Sequence, residues 1–337
     1  KNSKDKDVRM VSNDINLRIS VSMQGGKAEK QLNDTISVDP EDLYKGYRYV
    51  ELEPADIEYF KSSNILRYDL SDVINNEFLI VKNKETGDTD LLLRKCLDEL
   101  IVEEPKIENV MSLMNIKPKN YEQHMAMILL RDYDRIKVVY MSGIAGTGKT
   151  LLALASSLNG VEENHFSATL LSKAPTGMGD DLGILPGDVG EKLEYDMHSY
   201  NDNLEFLLTP EGADIDCINY VQTKEYMAQG NIAIQPFQKI RGRTLKKTDL
   251  ILDESQNTTE HEIKTFVTRL DETSRIIIMG DPGQIDNRFV DKFSNGLSVA
   301  IDRTHQYSNQ KDVDYVAMIT LEDAERSRVA QLYSEIL

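Results

Sequence analysis

Residues 143–150 read GIAGTGKT and match the spacing G-x-x-x-x-G-K-[ST]. An apolar run precedes this stretch, and an apolar helical pattern follows it. Glycines at these positions let backbone N–H groups turn inward around an anion, and the start of the next helix adds its positive dipole. The stretch therefore predicts a loop that binds phosphate groups. The alternative is a tight strand-to-helix turn without a ligand.

Two side chains of this loop suit a nucleotide that carries magnesium. The Lys149 ammonium would reach the β- and γ-phosphates, and the Thr150 hydroxyl would ligate the metal. ATP and Mg²⁺ are therefore the expected cofactors. The loop residues expected to contact the nucleotide are Gly143, Ile144, Ala145, Gly146, Thr147, Gly148, Lys149 and Thr150.

A second stretch, TDLILDESQN, supplies the acids that such a loop needs. A P-loop requires a carboxylate on a neighbouring strand to hold magnesium, and Asp253 follows the apolar run 250–252. Glu254 is placed to polarise the attacking water as a general base. The alternative is that the two acids cap a helix that starts near Thr259.

A third apolar run, RIIIMGD, leads into PGQID. Gln284 in this loop could hydrogen-bond the γ-phosphate or the attacking water and so report whether hydrolysis has occurred. The alternative is a polar turn residue.

Gln123 precedes the phosphate loop in the stretch KPKNYEQHMAMILLRD. Its amide is both donor and acceptor, so it could read adenine. The alternative is a capping box with Asn120 as the N-cap residue and Gln123 at the third helical position. The sequence leaves both interpretations open.

The elements that must position these residues alternate between strands and helices from Tyr121 onward. The apolar runs lack a period of two, which is typical of strands covered on both faces and predicts a mostly parallel α/β sheet. The predicted strands lie at residues 137–142, 168–173, 231–237, 249–255, 275–281 and 315–321. Upstream, the pattern predicts a strand at 8–11, a helix ending at Gly25, and a hairpin over 77–95.

Length and charge limit the possible functions. The 337 residues suggest two or three domains, with boundaries near residues 54 and 118. A net charge of −18 argues against wholesale coating of nucleic acid, but residues 239–247, KIRGRTLKK, could line a basic channel. The alternative for this segment is a solvated loop.

Two cysteines in no ligand-like spacing, Cys96 and Cys217, indicate a reducing, cytoplasmic setting. No run of about 18 apolar residues is present, so we expect no membrane span. The start lacks the apolar core of a signal peptide, and its first residue is Lys, which is typical of a fragment of a longer product.

Taken together, these motifs resemble the PhoH family of P-loop ATPases, which is related to the superfamily 1 helicases. The resemblance covers about residues 120–337 and implies a RecA-like ATPase core that assembles into hexamers. Further motifs in family order are DLGILPGDVGEKLEYDMHSYNDNLEFL (181–207), RGRT (241–244), DESQN (253–257), GDPGQIDN (280–287), SNGL (294–297) and AERSRVA (324–330).

The upstream part resembles the variant in which a PIN nuclease domain is fused in front. MVSNDINLRI and GGKAEKQLND look like the end of such a domain (1–54), and NNEFLIVKN looks like the β-rich connector (55–118) that leads to the ATPase (119–337). The resemblance implies that Asp14 is one carboxylate of a site that binds Mg²⁺ or Mn²⁺. Since the other carboxylates would precede residue 1, we expect no nuclease activity. The alternative for Asp14 is a strand-end turn residue.

The sequence departs from the family pattern at three places. Lys173-Ala174 stands where Arg-Pro is usual, Ser255 replaces Ala, and Tyr195 replaces Pro. A lysine is a point charge rather than a bidentate fork, so a nucleic-acid contact at Lys173 would be weaker.

A single RecA-like core has no partner in cis to supply an arginine finger, so we expect a ring in which each subunit completes its neighbour's site. The resemblance implies that this ring is a homo-hexamer. The candidate arginines are Arg241, Arg243, Arg269 and Arg326. The favoured function is an ATP-driven motor on single-stranded RNA, a helicase or translocase that serves a PIN ribonuclease. The alternatives are a nucleotide-switched scaffold or remodeller without a polymer substrate, and a small-molecule kinase. The absence of a lid-like, Arg-rich insertion counts against the kinase.

Overall fold

The computed structural model describes residues 9–12, 15–29, 35–110, 112–114, 116–175, 200–208, 229–240 and 244–324. Its strands are β1 Arg9–Val11, β2 Lys27–Glu29, β3 Tyr47–Leu52, β4 Phe78–Asn83, β5 Thr89–Cys96, β6 Glu99–Glu103, β7 Val138–Gly143, β8 Ala168–Lys173, β9 Ile232–Ile234, β10 Thr248–Asp253, β11 Arg275–Gly280 and β12 Val316–Leu321. The helices with described ends are α1 Ile15–Met23, α2 Pro54–Ser63, α3 Tyr121–Arg131, α4 Lys149–Glu162, α5 Phe237–Ile240, α6 Glu260–Val267 and α7 Gly296–Ser308. Residues 200–208 are also helical.

A six-stranded sheet forms the core, in the order β12-β7-β11-β10-β8-β9. Every neighbouring pair is parallel. All six predicted strands are present, and the α/β class is confirmed. In this RecA-like order, β11 lies between the strand that leads to the phosphate loop and the strand that carries Asp253.

Both faces of this sheet are covered, which explains the lack of alternation in the sequence. Ile251 and Ile277 belong to the apolar cluster that contains the buried side chains of α3 and α4. Their neighbours Leu250 and Ile276 belong to a second cluster, with residues of α6 and α7. Since successive side chains of a strand point to opposite faces, the helices lie on the two sides of the sheet.

The loops that carry the motifs meet at the carboxyl edge of the sheet. Ser142 near the end of β7 pairs in register with Gly280 at the end of β11. Asp253 at the end of β10 pairs in register with Lys173 at the end of β8. Because ligands of parallel α/β sheets bind at this edge, the topology brings the phosphate loop and the acidic pair to one place.

A second sheet, β3-β4-β5-β6, lies upstream of the core. The hairpin predicted over 77–95 is confirmed, because β4 and β5 pair antiparallel. β3 pairs parallel with β4, and α2 connects the two strands. The sheet therefore contains residues on both sides of the predicted boundary at residue 54, and its first strand begins at Tyr47.

The second sheet is joined to the core by hydrogen bonds from several elements. The Thr320 N–H donates to the Lys45 carbonyl at 2.9 Å. The Tyr47 hydroxyl lies 2.9 Å from Glu122 Oε1 and 3.0 Å from Glu322 Oε2. Gly46 has a φ of 86°, and a Cβ at this position would collide with the Met318 carbonyl of β12. The backbone at residue 46 thus lies so close to β12 that only glycine fits there.

The amino-terminal part contains the predicted strand and helix as β1 and α1. β1 pairs parallel with β2, and α1 connects them. Asp14 lies outside the described residues, so its place relative to this sheet is not part of the structure.

Candidate nucleotide-binding site

The phosphate loop joins β7 to α4 with two glycines in the left-handed region. Gly146 has a φ of 86° and Gly148 a φ of 92°, a conformation that glycine adopts without strain. Gly148 is the N-cap residue of α4, and no side chain caps the helix there. The first N–H groups of a helix lack intrahelical partners, so this end suits a phosphate.

The Lys149 side chain lies across the loop. Its ammonium donates to the carbonyls of Gly143 at 2.7 Å and Ile144 at 2.8 Å. The Thr147 hydroxyl also donates to the Ile144 carbonyl, at 3.0 Å. These carbonyl acceptors are neutral, so an anionic phosphate oxygen can replace them with a stronger bond between opposite charges.

Asp253 lies at the end of β10, as predicted, and its carboxylate has two donors among the described residues. Oδ1 accepts the Glu254 N–H at 2.8 Å, and Oδ2 accepts the Tyr200 hydroxyl at 3.1 Å. Burial and then the neighbouring charge of Glu254 raise the pKa of Asp253 to about 6. The two hydrogen bonds and the charge of Lys173 oppose this rise in pKa. Because an opposite charge could offset burial and repulsion, this carboxylate suits a bound cation.

The capping alternative for the acidic pair is wrong for the helix it concerned. α6 begins at Glu260, and its N-cap residue Thr259 forms a reciprocal capping box with Glu262. Glu254 instead adopts a left-handed conformation with a φ of 54° just before a short 3₁₀ turn, Ser255–Asn257. A non-glycine residue in this region is uncommon and often marks a functional position.

Gln256 connects the acidic pair to the loop that follows β11. Its amide nitrogen donates to Glu254 Oε2 at 2.7 Å and to the Gln284 carbonyl at 2.9 Å. Its amide oxygen accepts the Asp281 N–H at 3.1 Å. The side chain is fully buried. Sequence reasoning missed this role, although a glutamine two residues after Glu254 was visible in DESQN.

The Gln284 side chain is exposed at the same edge of the sheet. Its backbone forms a turn, with its N–H donating to the Asp281 carbonyl at 3.0 Å. The sensor role of this side chain stays a prediction.

Gln123 bridges the start of α3 and the phosphate loop. Its backbone N–H donates to the Asn120 side chain at 2.8 Å, as in the capping interpretation. Its side-chain oxygen, however, accepts from the Lys119 N–H at 2.9 Å, and its amide nitrogen donates to the Thr147 carbonyl at 3.0 Å. The reciprocal bond of a full capping box is therefore replaced by a contact with the loop. Recognition of adenine stays a prediction.

The donor set fits magnesium bound together with a nucleotide. Mg²⁺ is usually held by one or two protein oxygens plus substrate phosphates and water. Thr150, half-buried at the start of α4, and Asp253, at the end of β10, are the residues that would supply these two oxygens. Within the described part of the chain, no group of three or more His, Cys, Asp or Glu side chains forms a separate metal site.

Not every predicted residue can be placed in this site. Asp14, Arg241, Arg243 and Arg326 fall outside the described residues. The Arg269 carbonyl accepts the Leu245 N–H, which places this arginine near the amino edge of the sheet, opposite the phosphate loop. No helix within the described ranges is both long and apolar enough to cross a membrane.

Solved structures with partial similarity include two helicases. The Pif1 helicase from Candida albicans is 16% identical with a TM-score of 0.32, over 64% of this chain and 42% of that chain. The UvsW helicase from bacteriophage T4 is 12% identical with a TM-score of 0.33, over 90% and 76%. Scores below 0.5 support no conclusion about function.

Sequence relatives match at higher identity. Protein PhoH2 of Bacillus subtilis is 34% identical over 342 residues, which cover 98% of this chain and 72% of that protein. A PhoH-like protein of Mycobacterium tuberculosis is 32% identical over 224 residues, so this chain spans 57% of its length. The family description "PhoH-like protein" matches residues 115–337, which contain the phosphate loop and the acidic pair. The chain therefore belongs to the PhoH family and contains a P-loop nucleotide-binding site.

Proposed function

We propose that this protein hydrolyses ATP with Mg²⁺ at the carboxyl edge of the six-stranded sheet. The observation that carries the proposal is the arrangement of the two acids. Asp253 and Glu254 follow a strand of the same sheet as the phosphate loop, and each carboxylate receives a hydrogen bond from a buried neutral side chain.

Each residue has a separate task in this proposal. Lys149 leaves the carbonyls of the loop and compensates the charge on the β- and γ-phosphates. Thr150 and Asp253 hold the magnesium, which, when bound, neutralises phosphate charge. Glu254 orients the attacking water and accepts its proton. Gln284 senses the γ-phosphate, and Gln123 contacts the adenine while it supports the loop.

We propose single-stranded RNA as the polymer on which the hydrolysis acts. The basic segment 239–247 supports this, because Lys239, Lys246 and Lys247 are exposed on it. Exposed lysines can bind a phosphate backbone locally even on a protein with a net charge of −18. The sparse cysteines fit a reducing, cytoplasmic setting.

A homo-hexameric ring would supply the missing arginine from a neighbouring subunit. Arg241, Arg243 and Arg326 are the candidates, and an arginine finger is worth about 1,000-fold or more in rate. A finger variant mixed with Lys149→Ala should partly recover activity, because some interfaces then combine an intact loop with an intact finger. Full activity of a dilute, demonstrably monomeric sample would contradict the ring.

The amino-terminal part is proposed as the end of a PIN-like domain, with Asp14 as one ligand of Mg²⁺ or Mn²⁺. The parallel arrangement β1-α1-β2 supports an α/β domain. We expect no metal-dependent RNA cleavage by this chain. Cleavage that is lost in Asp14→Asn would contradict this expectation.

The experiment that tests the RNA proposal is the rate of ATP turnover with and without single-stranded RNA, alongside the mass in solution. Lys239→Gln combined with Lys246→Gln should keep the basal rate and lose the stimulation. Lys106→Gln with Lys311→Gln, two exposed lysines elsewhere, is the matched control. Hydrolysis that RNA never stimulates would favour a scaffold, and phosphoryl transfer to a metabolite would favour a kinase.

A further inference from the structure

Tyr200 places its hydroxyl on the carboxylate that is expected to hold magnesium. We propose that Tyr200 is a positioning residue for Asp253, and that the affinity of the site for magnesium-bound nucleotide depends on its hydroxyl group. The inference rests on the proposed function, since it assigns a residue to the metal side of the same site.

Tyr200 and Glu254, the donors to Asp253 in the described part of the chain, are distant in sequence and bind different oxygens. The Tyr200 hydroxyl is 3.1 Å from Oδ2, while the Glu254 N–H is 2.8 Å from Oδ1. Rotation of the carboxylate about its terminal bond would weaken both hydrogen bonds. Each carboxylate oxygen has more than one acceptor position, so a cation can still approach. The pair of donors therefore fixes the orientation of the carboxylate without closing the site.

The position of the Tyr200 ring is set by packing. Tyr200 is 2% exposed and belongs to the same apolar cluster as Leu204, Leu207 and Ile251. Residues 200, 204 and 207 lie on one face of the helical segment 200–208. The hydroxyl is thus delivered to Asp253 by a helix face that is buried against the core, which makes it a rigid donor.

Buried tyrosine hydroxyls elsewhere in the described core have other acceptors, such as the Glu122 carboxylate for Tyr47. The Tyr133 hydroxyl donates to the main-chain carbonyl of Ser156 at 2.9 Å, on the helix α4. That bond satisfies a buried polar group without involving a carboxylate. Tyr200, in contrast, donates to the one acid that the site needs for its metal. Groups that hydrogen-bond a metal ligand typically change metal affinity or activity by about 10- to 100-fold when they are removed.

The variant Tyr200→Phe keeps the ring and removes the hydroxyl. The measurement is the binding of a non-hydrolysable ATP analogue, titrated with MgCl₂, with EDTA as the metal-free reference. We expect the Mg²⁺ concentration for half-maximal binding to rise about tenfold, and the affinity in EDTA to change by less than about twofold. Tyr133→Phe, which also loses one buried hydroxyl, should leave the Mg²⁺ dependence unchanged.

A double-mutant cycle separates positioning from a general effect on folding. In an Asp253→Asn background, Tyr200→Phe should cause no further change in Mg²⁺ dependence, because the carboxylate it orients is gone. If thermal unfolding shows that Tyr200→Phe is not folded, Tyr200→Met provides a second side chain without a hydroxyl, and the same rise in the Mg²⁺ requirement is expected.

The outcomes distinguish this inference from the proposed function. If the unaltered protein binds the analogue equally with Mg²⁺ and with EDTA, the proposed magnesium site itself is wrong. If its binding requires Mg²⁺ but Tyr200→Phe behaves identically, the positioning role is overturned. Tighter Mg²⁺ binding in Tyr200→Phe would also overturn it, because the hydroxyl would then compete with the metal for Asp253.

Discussion

The side-chain amide of Gln256 donates to the Glu254 carboxylate at 2.7 Å and to the Gln284 carbonyl at 2.9 Å. One buried group therefore fixes both the proposed base and the loop that carries the proposed γ-phosphate sensor. The oxygen of the same amide accepts the Asp281 N–H, so the start of that loop is held as well. A movement of the loop would therefore change the orientation of Glu254. Gln256 thus connects the proposed base to the proposed γ-phosphate sensor.

Replacing Gln256 should slow hydrolysis more than it weakens binding. In Gln256→Ala, Glu254 loses its donor, and we expect kcat for ATP to fall roughly 10- to 100-fold because the base is misplaced. The KM for ATP should change little, since the phosphate loop is not touched. Gln306→Ala, which removes an exposed amide that also donates to a carboxylate, is the matched control. An equal loss of nucleotide binding would show that Gln256 is only a structural residue.

The absence of a side chain at Gly280 makes room for the Gln256 amide. A Cβ at this position would collide with Gln256 Oε1 and come within 3.1 Å of its backbone nitrogen. We therefore expect Gly280→Ala to lower kcat in the same way as Gln256→Ala, and the double variant to be little worse than either single one. Steady-state kinetics would measure this. Fully additive losses would mean that the two positions act separately.

The raised pKa of Asp253 predicts a gain in stability when its charge is removed. With a pKa of about 6, the side chain is mostly protonated at pH 5 and ionised at pH 8, so its charge costs stability as the pH rises through 6. Asp253→Asn should therefore raise the free energy of unfolding at pH 8 by on the order of 1–2 kcal/mol, and by less at pH 5. Thermal unfolding in EDTA without nucleotide measures this. A gain that is larger at pH 5 would contradict the assignment of the charge penalty to Asp253.

Much of the fold could be predicted because buried parallel strands leave continuous apolar runs. The runs at β7, β10 and β11 located the strands, and the glycine spacing located the phosphate loop. The contacts of Tyr200 and Gln256 could not be predicted, since they join residues that are distant in sequence or lie in a short turn without a periodic pattern. An arginine at the start of a strand is expected to be exposed, yet Arg275 is fully buried. Its partner in β10 is visible only once the strands are paired.

The buried ion pair between Arg275 and Asp249 should be important for stability. The Arg275 Nε donates to Asp249 Oδ1 at 3.0 Å, and the Ser157 hydroxyl donates to Oδ2 at 2.6 Å. Arg275→Met leaves a carboxylate buried without its counter-charge, and we expect a loss of about 3–5 kcal/mol in urea unfolding. Arg275→Met combined with Asp249→Val should recover part of this loss. If the single variant is as stable as the unaltered protein, the pair has no such role.

ATP turnover measured beside nucleotide binding tests the central claim most directly. Glu254→Gln should bind the nucleotide with near-unchanged affinity in Mg²⁺ and hydrolyse it more slowly by roughly 100-fold or more, because it lacks the base. Lys149→Ala should lose both binding and hydrolysis, because the phosphate charge is no longer compensated. If both variants turn over ATP at the rate of the unaltered protein, these residues do not form the catalytic site.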